Sequence, residues 1–249
     1  MSSIEETVRA LVQAHRSGAT VSAVTPPDAE AAYAVQERVA RELGWFGDAP
    51  ARHWKSGGPA RHLPLTHAPL PPRGVWPSGH DARAWPFHWR GIEAEIALRL
   101  GREVDAALAQ RLEPATATAL VDALCVSIEV VDSRWTEARE ASALARLADL
   151  QSHGALVLGA WQPFAPHDWA AQVCQVRIGA AEHRFVGTHS LADPAFVLPD
   201  WLRHATRDGR TLPAGSVVTT GTWCGLLFAN AGDAVHVGFD GIGHADLQL

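Results

Sequence analysis

Residues 91-GIEAEIALRL-100 place two glutamates two positions apart inside a run of Ile, Ala and Leu. In a strand, successive side chains alternate between faces, so Ile92, Ala94, Ile96, Leu98 and Leu100 share one face. Glu93, Glu95, Ala97 and Arg99 share the other. The plainest reading of this stretch alone is a surface strand with its polar face in solvent. Yet glutamate is depleted in strands, and two carboxylates on one face repel unless water, a proton or a cation separates them.

A second apolar strand, 123-ALCVSIEVVD-132, bears on that choice. Leu124, Val126, Ile128 and Val130 alternate with Cys125, Ser127, Glu129 and Val131, which puts a third carboxylate on the more polar face. Three carboxylates on two apolar strands suit a hard divalent cation, Mg²⁺ or Mn²⁺, with the other coordination positions left to water and substrate. Zinc would usually recruit His or Cys. The 13 histidines are scattered, and only His62 and His67 are loosely zinc-like in spacing, with no matching second pair. The histidines are therefore expected to be surface or singly hydrogen-bonded residues. Lys55, in 52-RHWKSGG-58, stands apart as the one lysine among 21 Lys and Arg. Where arginine serves everywhere else, a retained lysine points to a compact ammonium whose pKa can move.

Composition limits the alternatives. With 47% hydrophobic and 19% charged residues, the chain is too apolar for disorder, and its 249 residues suit one large domain. A net charge of -6 supplies no basic stripe for nucleic acid. The N-terminal residues lack a signal peptide's continuous apolar core, and no run approaches a membrane span, so a cytoplasmic protein is expected. Cys125, Cys174 and Cys224 are widely spaced with no C-x-x-C, which supports neither disulfides nor a thiolate zinc site. The ten tryptophans are expected mainly in the core, with a subunit interface as a second use.

Along the chain, Ile4, Val8, Leu11 and Val12 recur at helical intervals, and Asp28 opens a second helix that Gly44 closes. The Pro-rich 64-PLTHAPLPPRGVWPSG-79 is expected to be an irregular covering loop. A short helix follows Pro114, a hairpin spans 172-QVCQVRIG-179 and 182-EHRFVG-187, and a helix lies near 194-PAFVLPDWLRHATRDG-209. The last strands lie in 215-GSVVTTGTW-223 and 233-DAVHVGFDGIGHADLQL-249. Long strands with helices mainly at one end argue for α+β built on a bent sheet or roll.

Taken together, HWKSGG, IEAEIAL, SIEVVDSR, LADLQSHGALVLG and LPAGSVVTTGT resemble the 2-keto-4-pentenoate hydratase and 2-oxo-3-enedioate decarboxylase branch of the fumarylacetoacetate hydrolase superfamily. The resemblance runs from about residue 28 to the end. It implies that family's mixed β-roll with N-terminal helices packed outside, as a single domain over 1–249: residues 1–50 are the helical part and 51–249 the catalytic roll. It also implies Glu93, Glu95 and Glu129 on Mg²⁺ or Mn²⁺ and Lys55 in the active site, its pKa lowered by metal and partial burial. The family's A-D-N-x-S-x-G segment carries over to Ala148, Asp149, Ser152 and Gly154, with Asp149 and Ser152 as catalytic candidates. Its T-G-[ST] loop carries over to Thr220, Gly221 and Thr222 as substrate contacts, while Asp132 and Arg134 are read as structural. Leu150 stands where the family has Asn, and His53 where it has Gly; these departures spare the metal ligands and bear on the substrate's distal end. The implied activity is hydration of a 2-hydroxy-2,4-dienoate, a small 2-oxo acid in its dienol form. Decarboxylation of a 2-oxo-3-enedioate stands second, acylpyruvate C–C hydrolysis third and a non-catalytic partner subunit fourth. A homo-oligomer, dimer or higher, is expected.

Overall fold

The even-numbered face of the 91–100 strand is apolar throughout and needs cover; the arrangement of the other strands follows from that requirement. The computed structural model describes residues 3–249, so the sequence reading of the first two residues lies outside it. The chain begins with helices α1 (Ser3–Ser17) and α2 (Ala29–Glu42). Short strands β1 (His53–Gly57), β2 (Thr66–Pro69), β3 (Val75–Pro77) and β4 (His80–Asp81) precede the long β5 (Gly91–Leu100). Helices α3 (Ala106–Gln110) and α4 (Pro114–Ala117) lead into β6 (Val121–Val131). Helix α5 (Ala143–Ala148) comes before β7 (His153–Leu158) and β8 (Gln162–Pro163). The hairpin β9 (Val173–Ile178) and β10 (Ala181–Val186) is followed by α6 (Leu198–Ala205). Last come β11 (Val217–Thr219), β12 (Leu227–Phe228), β13 (Ala234–Phe239) and β14 (Gly243–Gln248).

Nine strands form one mixed sheet in the order β2-β1-β11-β5-β6-β7-β3, with β12 added to β5 and β8 to β6. Five form a second sheet, β10-β9-β13-β14-β4. Ile92, Ile96 and Leu98 of β5 and Leu124, Ile128 and Val130 of β6 bury their side chains with Val176, Trp201, Trp223, Val237 and Leu247 in the main core. Each such aliphatic side chain contributes about 1.5–3 kcal/mol by leaving water. This is the α+β architecture expected from the sequence, with mixed sheets and helices outside. The opposite face of β5 and β6, which carries the glutamates, is also covered rather than solvated.

The N-terminal helices bury Val8, Leu11, Val12, Val35 and Val39 against Trp135, Ala145 and Leu147. Asp28 caps α2 by accepting from the Ala31 amide, and Gly44 just beyond the helix has φ of +66°. The helical pair thus packs on α5 and Trp135, the segment leading into residues 149–153. The Pro-rich stretch departs from its expected irregularity. It supplies β2, an edge strand on β1, and β3, an edge strand on β7. Pro69 and Pro77 end strands, Pro71 and Pro72 open the 3₁₀ turn Pro72–Gly74 and Pro64 lies in the loop before β2, positions where a missing N–H costs no ladder bond. Trp54, Trp76, Trp135, Trp201 and Trp223 are buried, and all three cysteines are buried and free. Among the described residues no helix is long and apolar enough to cross a membrane.

Candidate active site and metal centre

Strand register builds the site. Glu93 of β5 stands opposite Glu129 of β6, and Glu95 stands opposite Ser127 one step along the same face. On the other side of β5, Ala97 pairs with Thr219 of β11, which in turn pairs with Lys55 of β1. The four charged side chains therefore converge on one face of the nine-stranded sheet. One carboxylate oxygen from each of Glu93, Glu95 and Glu129 lies within 4.8 Å of the others, a separation suited to a shared cation.

Glu129 is fully buried. Its Oε1 accepts from Lys55 Nζ at 2.5 Å and from His153 Nδ1 at 3.0 Å, whereas its buried Oε2 has no partner. An unsatisfied buried carboxylate oxygen is costly, and its position beside two further carboxylates fits a metal ligand. Glu95 Oε2 accepts from the Thr219 hydroxyl and, at 3.1 Å, from the Gly221 amide. Gly221 has φ of +104°, a conformation that favours glycine and here turns its N–H toward Glu95. The donor set is all oxygen, as expected for Mg²⁺ or Mn²⁺.

The charges shift one another. Burial, then the charges of Glu129 and Glu95, push Glu93 up to about 8 against the pull of Lys55. Burial and Glu129 push Glu95 up to about 7. For Glu129, burial is outweighed by Lys55 and His153, and its pKa falls below the ordinary value. For Lys55 burial alone would lower the pKa, but Glu129, Glu93 and Glu95 together hold it above the usual lysine value; a cation on these carboxylates would act in the opposite direction, as expected from sequence. These neighbours favour the ammonium form of Lys55.

The other candidates divide. Ser152 is buried with its Oγ unpartnered, next to Gln151, whose carbonyl accepts from Lys55 Nζ at 3.3 Å. Asp149 turns elsewhere. Its Oδ1 accepts from Arg134 Nε at 2.6 Å and its Oδ2 from the Arg134 amide at 3.0 Å, so this carboxylate buttresses the turn before β7. Asp132 accepts from the Trp89 amide at 2.7 Å. Arg134 and Asp132 thus order neighbouring segments, in line with their structural reading. The Thr220 hydroxyl donates to Ile96 O, and Thr222 donates to Gly225 O, closing the turn after the loop.

Two neighbours of the carboxylates escaped the sequence reading. His153 belongs to a histidine set expected to be surface or singly hydrogen-bonded; it is the latter, 4% exposed with its one bond to Glu129, and nothing in the sequence tied it to the carboxylates. A bulge between Val130 and Val131 puts it on the Glu129 face. The bulge needs Gly154, since a Cβ there would come within 2.7 Å of Val130 O. Thr219 was visible only as a strand residue, and its reach to Glu95 depends on the β11–β5 pairing.

Comparison with known proteins agrees with this geometry. The family model for the C-terminal domain of fumarylacetoacetate hydrolase matches residues 47–249. The chain is 31% identical over 159 residues to 2-keto-4-pentenoate hydratase 1 of Dechloromonas aromatica (strain RCB), covering 61% of this chain and 57% of that protein. It therefore spans little more than half the length of that relative. Among solved structures, 4-oxalocrotonate decarboxylase from Pseudomonas putida G7, complexed with magnesium and adipate, superposes with a TM-score of 0.83 at 18% identity, over 98% of this chain and 96% of that one. Fumarylpyruvate hydrolase from Pseudomonas aeruginosa, in complex with Mn²⁺ and pyruvate, gives a TM-score of 0.57 at 14% identity, over 80% and 89%. The match over residues 47–249 takes in every strand that builds the carboxylate face, and the chain belongs to the fumarylacetoacetate hydrolase family.

Proposed function

We propose that this protein is a divalent-metal-dependent lyase of the cytoplasm that adds water to a 2-hydroxy-2,4-dienoate of the 2-keto-4-pentenoate type. The observation that carries the reading is the trio of the half-buried Glu93 and the buried Glu95 and Glu129, with the chain's one lysine on Glu129. These carboxylates would hold Mg²⁺ or Mn²⁺. The cation would supply Lewis-acid chemistry, drawing electron density from a 2-oxo acid through its carboxylate and 2-oxo oxygens. Lys55 would add positive charge beside the developing negative charge or pass a proton. His153 holds Glu129 in place through its Nδ1–H. Ser152 Oγ, buried and without a partner, and the backbone at Thr220 and Gly221, the latter meeting Glu95 through its N–H, would contact substrate.

The chemistry balances without an oxidant. For 2-hydroxypenta-2,4-dienoate, C5 gains a proton as the 2-hydroxyl loses one, giving 2-oxopent-3-enoate. Water oxygen then bonds C4 while C3 takes a proton, giving 4-hydroxy-2-oxopentanoate. The relationship to 2-keto-4-pentenoate hydratase 1 supports this order of preference. Decarboxylation of a 2-oxo-3-enedioate is the second reading, favoured by the whole-chain likeness to 4-oxalocrotonate decarboxylase, N-terminal helices included. Purified protein with Mg²⁺ or Mn²⁺, given 2-hydroxypenta-2,4-dienoate and 2-oxohex-3-enedioate separately, should convert the former to the 4-hydroxy-2-oxo acid. Release of CO₂ from the latter with no hydration of the former would replace the first reading by the second.

A further inference from the structure

Leu150, Gln151 and Ser152 have φ of 51°, 57° and 58°, three successive non-glycine residues in the left-handed region. One such residue is uncommon and costs free energy, so a run of three persists only where its surroundings fix it. The run is fixed at both ends: Asp149 is clamped by Arg134, and the Ser152 carbonyl accepts from the Asp132 amide at 2.9 Å. Its effect is to turn the Gln151 carbonyl toward Lys55.

The Gln151 side chain lies over the same face. Lys55 pairs with Ala68 and Gly57 with Thr66, so Thr66 and Lys55 point to one side of the β1–β2 ribbon. Gln151 Nε2 donates to Thr66 Oγ1, so the residue reaches Lys55 through its backbone carbonyl and Thr66 through its carboxamide. Its Oε1 is buried and has no partner. A buried carbonyl oxygen left unsatisfied on the side of the ribbon that carries Lys55 is an acceptor awaiting a donor. An added water is such a donor; a second substrate carboxylate is not.

We propose that Gln151, anchored by Thr66, is the positioning residue for the water that adds to C4. The inference rests on the hydratase reading above. Gln151 Oε1 accepts one O–H of the water, which directs the oxygen lone pair at C4. The carboxamide takes no proton and is not needed for the preceding ketonisation, in which C5 is protonated. Its loss should therefore separate the two steps.

The test follows both steps by proton NMR with Mg²⁺ present, starting from 2-hydroxypenta-2,4-dienoate and, separately, from 2-oxopent-3-enoate. Gln151→Met keeps length and removes the acceptor; Thr66→Val removes the anchor. Water addition should fall about 10²-fold in Gln151→Met, the scale for losing alignment of a reacting group. It should fall less in Thr66→Val. Ketonisation should stay within a few-fold of wild type in both, so that 2-oxopent-3-enoate accumulates, and Mn²⁺ affinity should be unchanged. A wild-type product ratio in a folded Gln151→Met overturns the inference, as does an equal loss of both steps, which would mark a purely structural role. A wild-type enzyme that forms no 4-hydroxy-2-oxo acid overturns the hydratase reading itself.

Discussion

Lys55 sits among three carboxylates that keep it protonated, and the site uses a lysine where the chain elsewhere uses arginine. Guanidinium is planar, bulkier and never gives up its proton at working pH, so it cannot take the place of a compact ammonium on Glu129. We expect Lys55→Arg and Lys55→Ala to lose on the order of 10²-fold or more in kcat while retaining metal binding. Near wild-type turnover by a folded Lys55→Arg would exclude lysine-specific chemistry. The raised glutamates make a second prediction. Glu93 and Glu95 hold their protons to about 8 and about 7 in the folded chain, against an ordinary value of 4.5. Across that window the unfolded chain binds fewer protons than the folded one, so stability falls as pH rises. In chelator, Tm should decline from about pH 5 to pH 8, and saturating Mg²⁺ should flatten the decline. A flat profile in chelator would contradict the charge arrangement. The glutamates and lysine were legible because strand alternation and residue rarity are properties of sequence. His153 and Thr219 were not, because a bulge and a non-local pairing bring them to the site.

At the level of elements, the turn between α5 and β7 depends on the buried Arg134–Asp149 pair. Arg134→Ala would leave the Asp149 carboxylate buried and uncompensated, a loss of about 3–5 kcal/mol in urea unfolding. A change below 1 kcal/mol, the scale of a surface pair, would show that the pair does not hold this turn. Gly154→Ala should destabilise as well, because the contact it creates is with Val130 backbone, which cannot swing aside. The long strands and both N-terminal helices could be read from periodicity and caps. The Pro-rich 64–79 segment was read as irregular because proline disfavours a ladder; edge positions tolerate it, and only the partners β1 and β7 reveal the edge.

Across the whole molecule, five tryptophans are in the core and the other five are partly covered. Among the described residues, Leu63, Val186 and Phe228 are the large apolar side chains left exposed, and Phe228 packs on Trp89 with ring centroids 5.2 Å apart. We expect at least a dimer, and a monomeric mass by light scattering at micromolar concentration would contradict it. In the proposed reading the lysine and the turn act on one metal centre, so the cation is the point to test. Calorimetry with Mn²⁺ on wild type, Glu95→Gln and Glu129→Gln tests it most directly. One site per chain is expected, strongly weakened in each variant and bound with proton release near neutral pH. Equal binding by all three proteins would contradict it.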